Sequence, residues 1–384
     1  MNLNDYFNPI DTGITERGFI HTSAQLISYV KVHTHKNPIE NISDYGIAFI
    51  GVPDGSASPD LQDPFFNIRN ELYSLGANKK TKLYDLGNLK TGKAKNDTII
   101  GLRDVIIDLI TNNLTPIIVG NSEDVLFAQY LANVKLGIFT NIAIVDSKIA
   151  INENKESNTP SVLWKILVNE NESVSTFTNI GFQTYFVNPK TLQFITEKNF
   201  SAYRLGYIRS NIKESEPVLR DAHLIGIDVS SVRLSDAPAQ TEGSPNGFYG
   251  EEICQIARYS GTSNNVSTLG VYNYNYQLDQ NKQTSKLIAQ LIWYFIEGYY
   301  QRIDEDPAKS KTHFKKFIVT IDNAHNELIF YKSEKTDRWW MEIPTFKGSN
   351  QPKIISCTYE DYQKATSGEL PDRWLNAFQK MNSE

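Results

Sequence analysis

At 384 residues, with 40% hydrophobic and 21% charged side chains, the chain is long enough for two or three domains, or for one large α/β domain with appendages. That composition excludes a disordered or fibrous protein. Thirty-eight Lys and Arg against 44 Asp and Glu leave a net charge of -6, which gives no general attraction to nucleic acid or anionic membranes. Two cysteines, Cys254 and Cys357, are too few for a disulfide framework or a four-thiolate zinc site.

The opening MNLNDYFNPI has neither a basic nor an apolar block, so no secretory signal is expected there. No apolar run reaches the about 18–20 residues needed to span a bilayer, and the expected location is the cytoplasm. Residues 1–40 carry His21, His33 and His35 and read as an N-terminal extension. From residue 46 onward, apolar runs alternate with helical patterns: GIAFIGV at 46–52, KLYDLG at 82–87, PIIVG at 116–120, NIAIVD at 141–146, NIGFQ at 179–183, HLIGIDV at 223–229 and STLGVYNY at 267–274. Several are nearly continuous in Ile, Val and Leu, the signature of strands buried on both faces of a parallel sheet.

The clearest helix is TSKLIAQLIWYFIEGYY at 284–300, with Leu287, Ile288, Leu291, Ile292, Phe295 and Ile296 on one stripe. The alternation predicts a three-layer α/β/α domain over 41–305, with active residues beyond the carboxyl ends of the strands. After 305 the period changes. The segment 315–333 reads as two strands about a turn at Asp322 and Asn323, RWWMEIP at 338–344 as a third, and 359–381 as two helices around Pro371. The stretch 306–384 is therefore expected to form a small α+β appendage, with its tryptophans used for packing.

Four strand ends carry the functional signal: PIIVGNSED at 116–124, IAIVDSKIAIN at 142–152, IGIDVSSVRLSDAPA at 225–239 and VYNYNYQLD at 271–279. In order and spacing they resemble signature segments of the ureohydrolase superfamily of arginase, agmatinase and formimidoylglutamase. The likeness extends over about residues 41–305, supported by GSPNGFYGEE at 243–252. It implies one parallel-sheet domain and a two-manganese centre that activates hydroxide against a guanidino or amidino carbon. It further implies ligands from Gly-Gly-Asp-His, Asp-Ala-His-x-Asp and Asp-x-Asp segments, and a substrate-orienting Glu.

This chain departs from that set. Gly120, Asn121, Ser122 and Glu123 stand at the first segment, Asp146 to Ala150 at the second, and Asp228, Val229 and Ser230 at the third. Asp146 and Asp228 alone persist as ligand remnants, Lys148 stands where a histidine belongs, and Asn273 takes the place of the Glu. No histidine occurs between His35 and His223, so no shift of register restores the imidazoles.

The expectation is a degenerate pocket of Glu123, Asp124, Lys148, Ser230 and Asn273 that binds no manganese or other cofactor. Lys148 is expected within salt-bridge reach of Asp146, Asp228 or Glu123, where its loss would cost on the order of 3–5 kcal/mol. The implied role is a catalytically inactive binding, scaffolding or regulatory protein, monomeric or dimeric, whose partner is another protein or a small guanidino or amino-acid ligand. The alternative is a metal-dependent hydrolase of a linear amidine with a rebuilt site. His223 reads as a structural residue at a strand start, Cys254 as a buried thiol, and the loop from Gly51 to Gly55 as a structural turn.

Overall fold

In the computed structural model, nine of the strands that build the main sheet can be walked edge to edge in the order β1 (Phe7–Asn8), β4 (Leu83–Leu89), β3 (Ile47–Val52), β5 (Thr115–Gly120), β10 (Thr268–Tyr272), β9 (Leu224–Asp228), β6 (Thr140–Val145), β7 (Val174–Phe182) and β8 (Ser201–Arg204). β2 (Val30–Val32) lies beside β4 as well. The structure describes residues 1–10, 23–54, 63–77, 79–152, 160–170, 173–321, 326–345 and 352–382. Every pairing in this sheet is parallel except that of β1 with β4. The predicted mainly parallel sheet is present, and the N-terminal stretch adds β1 and β2 to its edge rather than standing apart from it. Strands of two and three residues leave no periodicity to read in a sequence.

Alternate residues of each central strand feed two cores. Ile47, Phe49, Ile117 and Val119 pack on one face with helices Phe66–Ser74, Gly250–Gly261 and Gln283–Tyr300. Ala48, Ile50 and Ile118 pack on the other with helices Lys95–Thr111 and Asp124–Lys135. Helices on both faces remove both faces from water, which is why β3 and β5 are buried at every position. The stripe of helix Gln283–Tyr300 is buried at Leu287, Ile288, Leu291, Ile292, Phe295 and Ile296. At about 1.5–3 kcal/mol per side chain, it contributes on the order of 10 kcal/mol.

Where that helix meets Gly250–Gly261, two glycines permit the approach. A Cβ at Gly261 would stand 2.2 Å from the Phe295 carbonyl oxygen, and one at Gly298 2.4 Å from that of Arg258. Alanine at either position would force the helices apart.

The tail forms its own antiparallel sheet, in the order β11 (Phe314–Ile321), β12 (Asn326–Ser333), β13 (Trp339–Ile343), β14 (Lys353–Cys357). Helices Tyr359–Thr366 and Asp372–Asn382 cover it. Thr358 starts the first of them with a capping box, accepting from the Asp361 amide at 3.2 Å. The predicted turn at Asp322 and Asn323 lies outside the described residues. β14 was not foreseen. Trp339, Trp340 and Trp374 are buried, Trp339 stacking on Tyr362, in accord with packing.

A polar seam joins tail and body. The Arg220 guanidinium lies over the Trp340 ring at 4.3 Å and donates to the carbonyls of Trp339 and Cys357 at 3.0 and 3.3 Å. Asp221 accepts from the Ser356 amide and hydroxyl at 3.0 and 2.5 Å.

Candidate functional site

Parallel strands linked by crossovers end on a common edge, and at the sheet's centre four neighbours, β5, β10, β9 and β6, end together. Asn121, Ser122 and Glu123 follow β5, Asn273 follows β10, Asp228 is the last residue of β9, and Asp146 follows β6. Ligand-capable oxygens of Glu123, Asp146 and Asp228 all lie within 4.8 Å of one another. Above them opens a cleft of about 340 Å³ whose wall includes Glu123, Asp124, Ser230 and Asn273.

Asp228 is 2% exposed. Its Oδ1 accepts from the Ser230 amide at 2.7 Å and its Oδ2 from Asn273 Nδ2 at 2.5 Å. Asn273 reaches it from a left-handed backbone, φ 60°, a conformation Asn tolerates better than most residues. A glutamate there would instead face the Asp228 carboxylate directly. Asp146 Oδ1 accepts from the Lys148 amide at 2.9 Å.

Burial pushes all three carboxyls up. Glu123 rises to about 7, with Asp228 and Asp124 adding repulsion; Asp146 rises strongly, with Asp228 adding to the effect. Asp228 rises less far, because hydrogen bonds from Ser230 and Asn273 favour its anion. Asn273, just beyond β10, thus stabilises one of the carboxylates.

The expected contact of Lys148 is overturned. Its ammonium pairs with Glu242 and sits 5.6 Å from the centre of the Phe186 ring, with 32% of the side chain exposed. Asp146 takes the backbone amide of Lys148, and the side chain then runs out to a hydrated partner instead of entering the cluster. A half-hydrated ion pair avoids the desolvation that an inward ammonium would suffer. Asp124 also turns from the cluster, pairing with Lys95 at 2.5 Å and with the Ser122 hydroxyl.

Sequence reasoning missed Lys95, Lys165, Gln240 and Glu242, which also line the cleft. Gln240 is 4% exposed, and its Nε2 donates to the carbonyls of Val232 and Ala237 at 3.1 and 2.7 Å. Its Oε1 is buried without a partner among the described residues. The one available signal was position: Gln240 and Glu242 lie between the β9 segment and GSPNGFYGEE at 243–252.

The remaining candidates are structural. His33 Nδ1 bonds the Leu86 carbonyl at 2.9 Å, and His223 Nδ1 accepts from the Asn141 amide at 3.0 Å. His21 and Gly55 lie outside the described residues. Gly51 packs against Phe65 and Asn88. Burial raises the Cys254 thiol to about 12, which makes it inert. Asp279 caps helix Gln283–Tyr300, accepting from the Thr284 and Ser285 amides at 3.1 and 2.9 Å.

No family model matches the chain. A formimidoylglutamase of Staphylococcus aureus is 20% identical over 196 residues, 49% of this chain and 63% of that relative, so the similarity spans less than two thirds of the relative's length. A manganese-containing formiminoglutamase structure from Trypanosoma cruzi superposes with TM-score 0.61 at 17% identity, covering 69% of this chain and 97% of that one. Formimidoylglutamase from Bacillus subtilis gives 0.63 at 19%, covering 75% and 97%. Agmatine ureohydrolase of Thermoplasma volcanium gives 0.57 at 16%, covering 75% and 99%. With strands, crossovers and carboxylate-bearing strand ends in place, the chain has the fold of the arginase superfamily, shared with these formimidoylglutamase and agmatine ureohydrolase structures.

Proposed function

We propose that the chain is an arginase-fold binding protein, and that its strand-end cleft takes a small guanidino or amino compound without hydrolysing it. The observation that carries this reading is the donor set: three converging carboxylates and, among the described residues, no imidazole within the cluster. The manganese of the T. cruzi relative raises the question of fit. Carboxylate oxygens within 4.8 Å suit one hard cation. Three side chains do not suffice to clamp two metals around a hydroxide, so no hydrolytic step is derived through a binuclear centre.

An organic cation meets the same acceptors. Lys148 makes its ion pair with Glu242 and not with the cluster, and the Gln240 oxygen is an additional acceptor in the cleft wall. Lys95 and Lys165 line the cleft as well, so a ligand with a cationic head and a carboxylate tail finds complementary charge at both ends.

The second reading, a mononuclear amidine hydrolase, is favoured by the 4.8 Å convergence itself. One experiment separates the two. Protein purified from manganese-supplemented medium is assayed for metal content, for calorimetric binding of arginine, agmatine and formimidoylglutamate, and for release of urea or formamide. Binding with substoichiometric metal and no release is expected. Near one metal per chain with product release would establish the hydrolase, and absence of binding to all three compounds would defeat the ligand assignment.

A further inference from the structure

A second cleft, of about 840 Å³, lies at the opposite pole from the carboxylates. It opens where the N-terminal ends of β6, β7 and β9 and the short β8 face β14 and helix Asp372–Asn382 of the tail. Its volume falls in the range of small-molecule sites. Apolar walls come from Phe139, Ile142, Val174 and Met381, and Phe139 remains 71% exposed at its edge.

The charges at this cleft do not balance internally. Its acid, Asp221, is engaged by the Ser356 amide and hydroxyl. Arg373 is engaged by Glu214 and Asp361, at 3.1 and 3.2 Å. Lys353 makes no ion pair among the described residues and is exposed. Lys380, in the same wall, has its ammonium engaged over the Phe200 ring at 4.6 Å.

His223 adds a defined donor. Because its Nδ1 accepts the Asn141 amide proton, the neutral ring carries its hydrogen on Nε2. That Nε2 has no hydrogen-bond partner among the described residues. The Asn376 side chain, also in the wall, likewise makes no hydrogen bond among them. The Lys353 ammonium, an imidazole N–H and an amide beside an apolar wall are complementary to an anion carried on an apolar body.

We propose that this cleft is a second binding site, for a small molecule bearing a carboxylate or a phosphate on an apolar or aromatic body. Such a ligand touches body and tail together, so its binding also braces the tail. The site shares no residue with the carboxylate cleft and does not depend on the function assigned there.

Saturation-transfer NMR with phenyl phosphate, phenylacetate and benzylamine at millimolar concentration tests it on the full chain. Saturable binding of at least one of the two anions is expected, and benzylamine, whose ammonium suits the carboxylate cleft instead, is expected not to displace it; the better anion distinguishes phosphoryl from carboxylate ligands. Lys353→Glu, at an exposed position, is expected to weaken that binding tenfold or more. Asn376→Trp, which fills the cleft, is expected to abolish it, while Glu123→Gln leaves it unchanged. Displacement of the bound anion by benzylamine, no binding of either anion, or anion affinity unaltered in both cleft variants would overturn the proposal.

Discussion

Replacing Glu123 by Gln should stabilise the protein at alkaline pH, and the sign follows from the cluster. The Glu123 carboxyl rises from an ordinary 4.5 to about 7 on folding, through burial first and the neighbouring Asp228 and Asp124 next. Between those two values the folded chain holds a proton that the unfolded chain has released. Stability therefore falls as pH rises through this window and stays low above it. At about 1.4 kcal/mol per unit, the loss is about 3 kcal/mol. Glutamine keeps the shape and cannot ionise, so the variant should match the parent at pH 5 and exceed it by about 2–3 kcal/mol at pH 8.

Urea unfolding of both proteins at the two pH values, in the presence of a chelator, measures this directly. A variant less stable than the parent at pH 8 would refute this, showing that the Glu123 anion is balanced in the folded state by another group. Repeating the series with manganese reports on metal separately, since a ligated Glu123 would make the same substitution destabilising.

Asn273→Ala removes the 2.5 Å donor to Asp228 and should cost about 1–2 kcal/mol at pH 8, the deficit shrinking in acid as Asp228 is protonated; chemical denaturation at both pH values reads it. Lys148→Met breaks only a partly hydrated pair with Glu242, so unfolding should register a loss of less than about 1 kcal/mol, well short of a buried-charge penalty. Asp221→Ala leaves the buried Ser356 amide and hydroxyl without their acceptor and should cost about 2–4 kcal/mol, with limited proteolysis showing earlier cleavage within the tail.

Sequence alone determined the layered architecture and which strand-end residues meet. Seven apolar runs marked seven sheet strands, because strands covered on both faces must be apolar along their length. The four polar departures at 121–123, 146, 228 and 273 marked residues that meet in space, because crossover connections bring the ends of parallel strands to one edge. The absence of histidine between His35 and His223 was equally legible, being a matter of residue identity.

Tertiary structure decided the rest. β1 and β2 owe their existence to hydrogen bonds with β4, which two or three residues cannot announce. The direction of the Lys148 side chain was set by a loop some ninety residues further on that supplies Glu242, and by the Asp146 carboxylate taking its backbone amide. The cleft between body and tail arises from the docking of Arg220 and Asp221 onto β13 and β14. Long-range partners of this kind are chosen by distance in space and by the free energy of desolvation, and neither is written in the spacing of residues along the chain.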